Sequence, residues 1–430
     1  MDDVKAKLDA LLKNRGLMTG GQFEKQRTEE DEKRASGAFD LPHVVPGEEH
    51  GEDPAFYLVR QDFPLDHVHG QLPLGDALTA SGEHLAFSAQ DDELIEFDPA
   101  RTAFVDTETI GLAGGAGTVA FLVGVGYFVE GAFRLDQCFM RDYDEEEPML
   151  EFLAERFEDM ETVVGYNSKS FDLPLLRTRF IQNRIPFRAE ACAHFDLVHA
   201  ARRFYKRRLS DCSLGNIERE VLGVHREGDV PSYLIPQLWF DYLRTNDARP
   251  LKGVFYHHEV DILSLVTLTA WLSQCLQTGG SDGFEHSEDK LSLVRLHYRQ
   301  KHYEEVLDLG KQFLELEGMD HGTEPARSLR LECLEMMGFA YKRRNLFAEM
   351  QETWELLLSD APFHVTARLE LAKHLEHRAK DWGRALALCV EALDNPRASG
   401  SAVMADEFAR RRERLEAKLA RGGAGDLLTD

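Results

Sequence analysis

Three things are scarce in this chain of 430 residues: paired cysteines, positive charge and long apolar runs. The six cysteines, at 138, 192, 212, 275, 333 and 389, include no Cys-x-x-Cys pair. That spacing excludes a disulfide framework and a cysteine-based zinc site, and it fits the reduced thiols of a cytoplasmic protein. No stretch approaches the roughly 18 consecutive apolar residues of a membrane span, and the charged N-terminus lacks a signal-peptide pattern, so no membrane partner is expected. Lysine and arginine number 50 against 76 acids, a net charge of −26. A phosphate backbone is best met by cations, so this balance speaks against nucleic acid as a partner. Binding follows the local field, however, and the local field differs. Residues 173–208 carry Arg177, Arg179, Arg184, Arg188, Arg202, Arg203, Lys206, Arg207 and Arg208 against only Glu190 and Asp196. This is either a phosphate-facing surface or a solvated basic helix face.

What is present in quantity is apolar residue, 43% of the chain, enough for substantial cores and two or three domains. Residues 1–52 read as a charged, mostly disordered tail with one short helix at 4–12. From about residue 53 the composition becomes globular. "HLAFSAQ", "LIEFD", "TAFVDTE", "GTVAFLVGVGYFV" and "AFRLDQCFM" read as successive strands. "EEPMLEFLAERFEDM" has helical spacing, "TVVGYN" is a short strand, and "LPLLRTRFIQNR" is a basic helix with Pro174 in its first turn. The expected architecture for 53–273 is a mixed sheet flanked by helices. Residues 274–290, rich in Gly, Ser and acids, read as a linker. Residues 291–420 read as all-helical. Within 331–362, Gly338, Tyr341, Trp354 and Pro362 fall at relative positions 8, 11, 24 and 32, the spacing of a tetratricopeptide unit, with divergent copies before and after.

The chemistry concentrates in three places. At 102–105 an apolar strand runs into Asp106-Thr107-Glu108. Side chains alternate along a strand, so the two acids share a face, where they repel unless a cation sits between them. Hard oxygen donors of this kind suit Mg²⁺ or Mn²⁺; the alternative is a solvent-facing strand end. In "VVGYNSKSFDLPLL" a second strand delivers Asn167 and then Asp172, either a helix N-cap or a carboxylate facing the first pair across the sheet edge. Asn167 is placed to hold substrate or a metal-bound water. In "VFYHHEVDILSLVTLTAWL" a helix from Val260 onward carries Asp261 on an otherwise apolar face, with His257 and His258 one turn earlier. An imidazole there can orient or deprotonate water. Asp196 reads as a further metal-facing acid or a helix cap, Arg226 with Asp229 as a loop brace, and Gly114, Gly115 and Gly117 as a phosphate-approaching loop or a plain hairpin turn.

Asp-x-Glu, then Asp, then Asp preceded by an imidazole resembles the DEDD exonucleases of the ribonuclease H-like superfamily. "FVDTETIGL", "YNSKSFDLPLLRTR", "HFDLVHAARR", "CSLGNIEREVLG" and "HHEVDILSL", in that order, are similar to the bacterial YprB-type ribonuclease H-like proteins over residues 85–275. The resemblance implies an α/β ribonuclease H-like domain followed by tetratricopeptide-like helical repeats. It also implies a 3′-to-5′ exonuclease holding two divalent cations, with Asp106, Glu108, Asp172 and Asp261 as ligands and a water-positioning residue beside them. The His subfamily has its His five residues before the last Asp, and the Tyr subfamily its Tyr four before. Here Tyr256 stands at minus five, His257 at minus four and His258 at minus three, and the Tyr spacing favours His257. The expected substrate is the 3′ end of single-stranded or frayed nucleic acid, DNA slightly ahead of RNA. Thr107, Asn167, Arg177, Arg203, Lys206 and Arg207 are the expected contacts, with Phe204 and Tyr205 as stacking platforms. The repeats are expected to take a protein partner. The alternatives are a non-catalytic repeat scaffold with a nuclease-like domain, and an endonuclease of the same superfamily.

Overall fold

The apolar run 102–105 lies in the middle of a seven-stranded sheet. The computed structural model describes residue 37 and residues 39–111, 117–277, 283–317 and 324–423. The strands are β1 (Glu48–His50), β2 (Phe56–Pro64), β3 (Thr102–Thr109), β4 (Ala120–Val129), β5 (Ala132–Phe139), β6 (Thr162–Gly165) and β7 (Ala193–Asp196), in the order β1-β2-β5-β4-β3-β6-β7. The first five positions are joined by antiparallel pairing, while β3–β6 and β6–β7 are parallel. β4 is buried along nearly its whole length, which is why it reads as a continuous apolar run and not an alternation.

Around the sheet lie α1 (Gly82–Ala89), α2 (Glu146–Arg156), α3 (Asp172–Gln182), α4 (Leu197–Tyr205), α5 (Ile235–Thr245) and the 27-residue α6 (Leu251–Gln277). Ile262, Leu265, Leu268 and Leu272 of α6 are fully buried. Its buried Thr267 and Thr269 satisfy their hydroxyls on the carbonyls of Leu263 and Leu265, so the helix tolerates polar residues inside the core. By length and composition α6 would cross a membrane, but 78% of its most apolar window is buried within the protein.

Several sequence expectations need correction. "HLAFSAQ" is helix α1, ended by Gln90 in the left-handed conformation, and "LIEFD" is mostly a 3₁₀ turn opened by the Asp91 side chain accepting from the Glu93 N–H. Local capping chemistry outweighed the apolar pattern in both. β1 lies in the stretch read as tail, paired with β2. The helix read from Val260 begins nine residues earlier, at Leu251. α6 also reaches to Gln277 and the next helix starts at Ser287, so helix covers the two ends of the stretch 274–290. The expected helix at 4–12 and Gly114 and Gly115 lie outside the described residues.

The chain divides into two compact units, residues up to 201 with 212–274, and 202–211 with 275 onward. The second is helical. The helices Ser287–Gln300, Tyr303–Glu317, Glu324–Arg343, Phe347–Asp360, Val365–His374 and Trp382–Asp394 each pack on the next, and Ala402–Gly423 packs on the last of these. A Cβ at Gly338 would lie 2.5 Å from the ring of the fully buried Trp354, so glycine sets the close approach of the two central helices. Phe204 and Tyr205 belong to this unit's interior. Both are buried, Phe204 stacked on Phe284 with ring centroids 5.2 Å apart, which overturns their reading as platforms for bases.

Candidate metal centre

β6 pairs with β3 only from Thr102 to Phe104, so beyond Phe104 that edge of β3 is open. Asp106 lies opposite Gly124 of β4, Glu108 opposite Leu122, and the register slips between Glu108 and Thr109. The two carboxylates share the face on which α6 packs. A Cβ at Gly124 would come within 2.2 Å of Ile262 and 2.4 Å of His258, so only glycine lets α6 approach the strand beside Asp106.

Asp172 is delivered by the turn between β6 and α3. Asn167, at φ +62°, opens the turn. Asp196 at the end of β7 braces it by accepting from the backbone N–H groups of Asn167 (2.7 Å), Lys169 (3.0 Å) and Val198 (3.3 Å). Asp196 is thus engaged with main chain. Asp172 is the first residue of α3, not its cap, and its carboxylate accepts from the Thr107 hydroxyl at 2.5 Å. Asp261 comes from α6 together with His257, whose Nε2 stands 3.4 Å from the Asp261 carboxylate and 3.8 Å from that of Glu108. Donor atoms of Glu108, His257 and Asp261 lie within 4.8 Å of one another.

The electrostatics describe one cluster. Burial pushes the Asp106 carboxyl well above its ordinary value, and repulsion from Asp261, Asp172 and Glu108 adds to it. Glu108 is raised by burial and by Asp261, Asp172 and Asp229. Asp172 is raised to about 6, chiefly by burial, against the opposing pull of the Thr107 hydrogen bond. Asp172 and Asp261 both raise Asp106 and Glu108, and four recessed carboxylates so placed form a hard-oxygen donor set whose repulsion a divalent cation would relieve.

The two histidines separate cleanly. His258 is fully buried. Its Nε2–H donates to the Asp106 carbonyl (3.1 Å) and its Nδ1 accepts from Gln137 (3.1 Å), while burial pushes its pKa down to about 4. It ties α6 to the strand as a neutral ring. His257 faces the acids. The Tyr256 hydroxyl instead accepts from the Glu227 N–H at 3.4 Å.

Sequence reasoning missed the reach of Arg226. It holds buried Glu218 through two hydrogen bonds (2.6 and 2.5 Å), pairs with Asp229 (3.2 Å) and also contacts the Asp261 carboxylate. Burial would lower its pKa, but Glu218 and Asp261 outweigh that and hold it above its ordinary value. The signal, Arg and Asp three apart in "HREGD", looks the same as a loop brace until the loop is known to fold back on α6. Of the expected substrate contacts, Thr107 is engaged with Asp172, and Asn167 sits at the turn. Arg177 pairs with Glu190, and Arg207 with Glu332 at 2.6 Å. Lys206 is exposed, and Arg203 is half-buried in the second unit. Acids distant in sequence, Glu146 for Arg179 and Asp289 for Arg208, further offset the basic segment.

Residues 103–273, which include all four acids and His257, match the family profile described as the RNase_H superfamily. Over 409 residues the chain is 31% identical to the Bacillus subtilis (strain 168) protein called "Uncharacterized protein YprB", an alignment covering 91% of this chain and 94% of that one.

Proposed function

Since this chain belongs to the RNase_H superfamily, in the family of the Bacillus subtilis protein YprB, we propose that it is a divalent-metal-dependent 3′-to-5′ exonuclease acting on single-stranded or frayed nucleic acid. The observation that carries this reading is the convergence of Asp106, Glu108, Asp172 and Asp261, whose proximity and burial hold the Asp106 and Glu108 carboxyls above their ordinary values, with His257 facing Glu108 and Asp261. Those four carboxylates would hold two Mg²⁺ or Mn²⁺ ions. Bound there, the ions supply charge neutralisation at the phosphorus and lower the pKa of water.

The residues do the rest. The Thr107 hydroxyl holds the Asp172 carboxylate at its place beside the strand pair. Nε2 of His257 accepts a proton from the attacking water or orients it. Two large rings stand exposed next to these groups. Phe171 (51% exposed) precedes Asp172, and Tyr233 (81% exposed) follows Ser232, whose hydroxyl is 3.3 Å from His257 Nε2. They take the stacking role that the buried Phe204 and Tyr205 cannot. The exposed Arg177 contacts phosphates, DNA being slightly favoured over RNA. The helical unit, read as tetratricopeptide-like repeats, takes a protein partner.

Digestion of one single-stranded sequence in linear and circular form, with Mn²⁺ and the full chain, tests the exonuclease reading. Linear strand should be shortened to mononucleotides and circular strand left whole. Cutting of the circle would make the protein an endonuclease instead.

A further inference from the structure

We propose that Asp229 sets the tautomer of His257, so that the imidazole presents an unprotonated Nε2 to Glu108 and Asp261. The functional meaning of this rests on the nuclease reading; the proton placement does not.

Both carboxylate oxygens of Asp229 lie close to Nδ1 of His257, at 2.9 and 3.0 Å. A carboxylate only accepts, so Nδ1 must donate, and a neutral ring then carries its lone pair on Nε2. One other group touches Nδ1, the Arg226 Nη1 at 3.1 Å. It is a donor with two N–H groups, one of them taken by the Asp229 carboxylate at 3.2 Å, and it lies farther from Nδ1 than either carboxylate oxygen does. A bare Nδ1 would set a lone pair against two carboxylate oxygens, whereas Nδ1–H makes a charge-assisted bond. Asp229 is itself fixed, since the backbone N–H of Val230 donates to it at 2.8 Å. On the Nε2 side stand the Ser232 hydroxyl, able to donate at 3.3 Å, and two groups that cannot donate as carboxylates, Asp261 at 3.4 Å and Glu108 at 3.8 Å. Nε2 and the two carboxylates therefore turn acceptor atoms toward one point, which calls for the proton of a water molecule or a cation. Asp229 belongs to none of the acid motifs, lying in the loop between Leu222 and Ser232. It is a positioning residue that acts through His257.

The test is a long-range ¹H–¹⁵N spectrum of the full chain labelled with ¹⁵N-histidine, saturated with Mg²⁺ at pH 8, with His257 identified by the signals lost in His257→Gln. The wild-type ring should show Nδ1–H with Nε2 unprotonated. In Asp229→Asn the amide can donate to Nδ1, and the ring should shift to Nε2–H. The kcat should fall about 10- to 100-fold with KM little changed, the size typical for residues that orient a functional histidine. Asp229→Glu should restore the wild-type spectrum. A wild-type ring protonated at Nε2, or an Asp229→Asn ring with the wild-type pattern, would overturn the proposal without need of any activity. If the spectra agree but the wild-type protein degrades no nucleic acid, the tautomer assignment stands and the nuclease reading falls.

Discussion

Asp172 shows what the site costs the protein that carries it. Its carboxyl, ordinarily near 3.8, is raised to about 6 by burial. A group whose folded pKa is raised contributes stability that is complete below its unfolded value and lost as the pH climbs through the folded one. Without metal, the protein should therefore lose stability between about pH 4 and pH 7 on account of this residue alone, by about 2–3 kcal/mol. Asp172→Asn keeps an acceptor for Thr107 and has no charge to desolvate. In EDTA at pH 8 the variant should melt above the wild type, and the gap should close near pH 4. Added Mn²⁺ should raise the wild-type Tm and leave that of the variant nearly still. Paired thermal melts at the two pH values check this, and equal Tm values at pH 8 would contradict it. The alternation of a strand is enough to read Asp106 and Glu108 onto one face from sequence. The roles of His257 and His258 are not legible in that way, because they depend on which ring meets Gln137 of β5 and which meets Asp229 in a loop 28 residues away.

Elements decide how those residues meet. β3, β4 and β5 and the helices α2 and α3 follow from apolar pattern, since each buries one continuous face or run. α1 and the 3₁₀ turn at Asp92–Glu96 do not, because their form is set by capping groups that a hydrophobicity pattern does not register. The junction of α6 with β3 is the element that matters most, and His258 is its fastener. His258→Ala removes hydrogen bonds to Asp106 and Gln137 and leaves a cavity against Gly124, so it should lower stability by about 2–4 kcal/mol. His257→Ala, at a ring that faces the acids, should leave denaturant midpoints nearly unchanged and reduce kcat by about 100-fold or more. Denaturation curves and single-turnover rates on both variants check the contrast; the reverse ranking would move the water-positioning role to His258.

At the scale of the whole molecule, a chain of net charge −26 is an unexpected carrier for a polyanion's substrate site. Its acids are spent in two ways. Glu146, Glu332 and Asp289 neutralise arginines of 173–208, which linear counting over that segment cannot see. Four others gather at the end of β3, where a divalent cation would relieve their repulsion. The family of the chain is readable from motif order, and the helical character of its second unit from the loss of strand signals beyond residue 290. The inclusion of residues 202–211 in that second unit was not, because it depends on Phe204 meeting Phe284, 80 residues on.

The most direct test is the rate of mononucleotide release from a uniformly labelled single-stranded oligonucleotide with Mn²⁺, wild type beside Asp106→Asn. Asp106→Asn removes one carboxylate charge from the cluster at the end of β3 while keeping the side chain's shape. Release by the wild type and a loss of about 1,000-fold or more in the variant are expected. Equal rates in the two proteins, or no release by either, would contradict the nuclease reading.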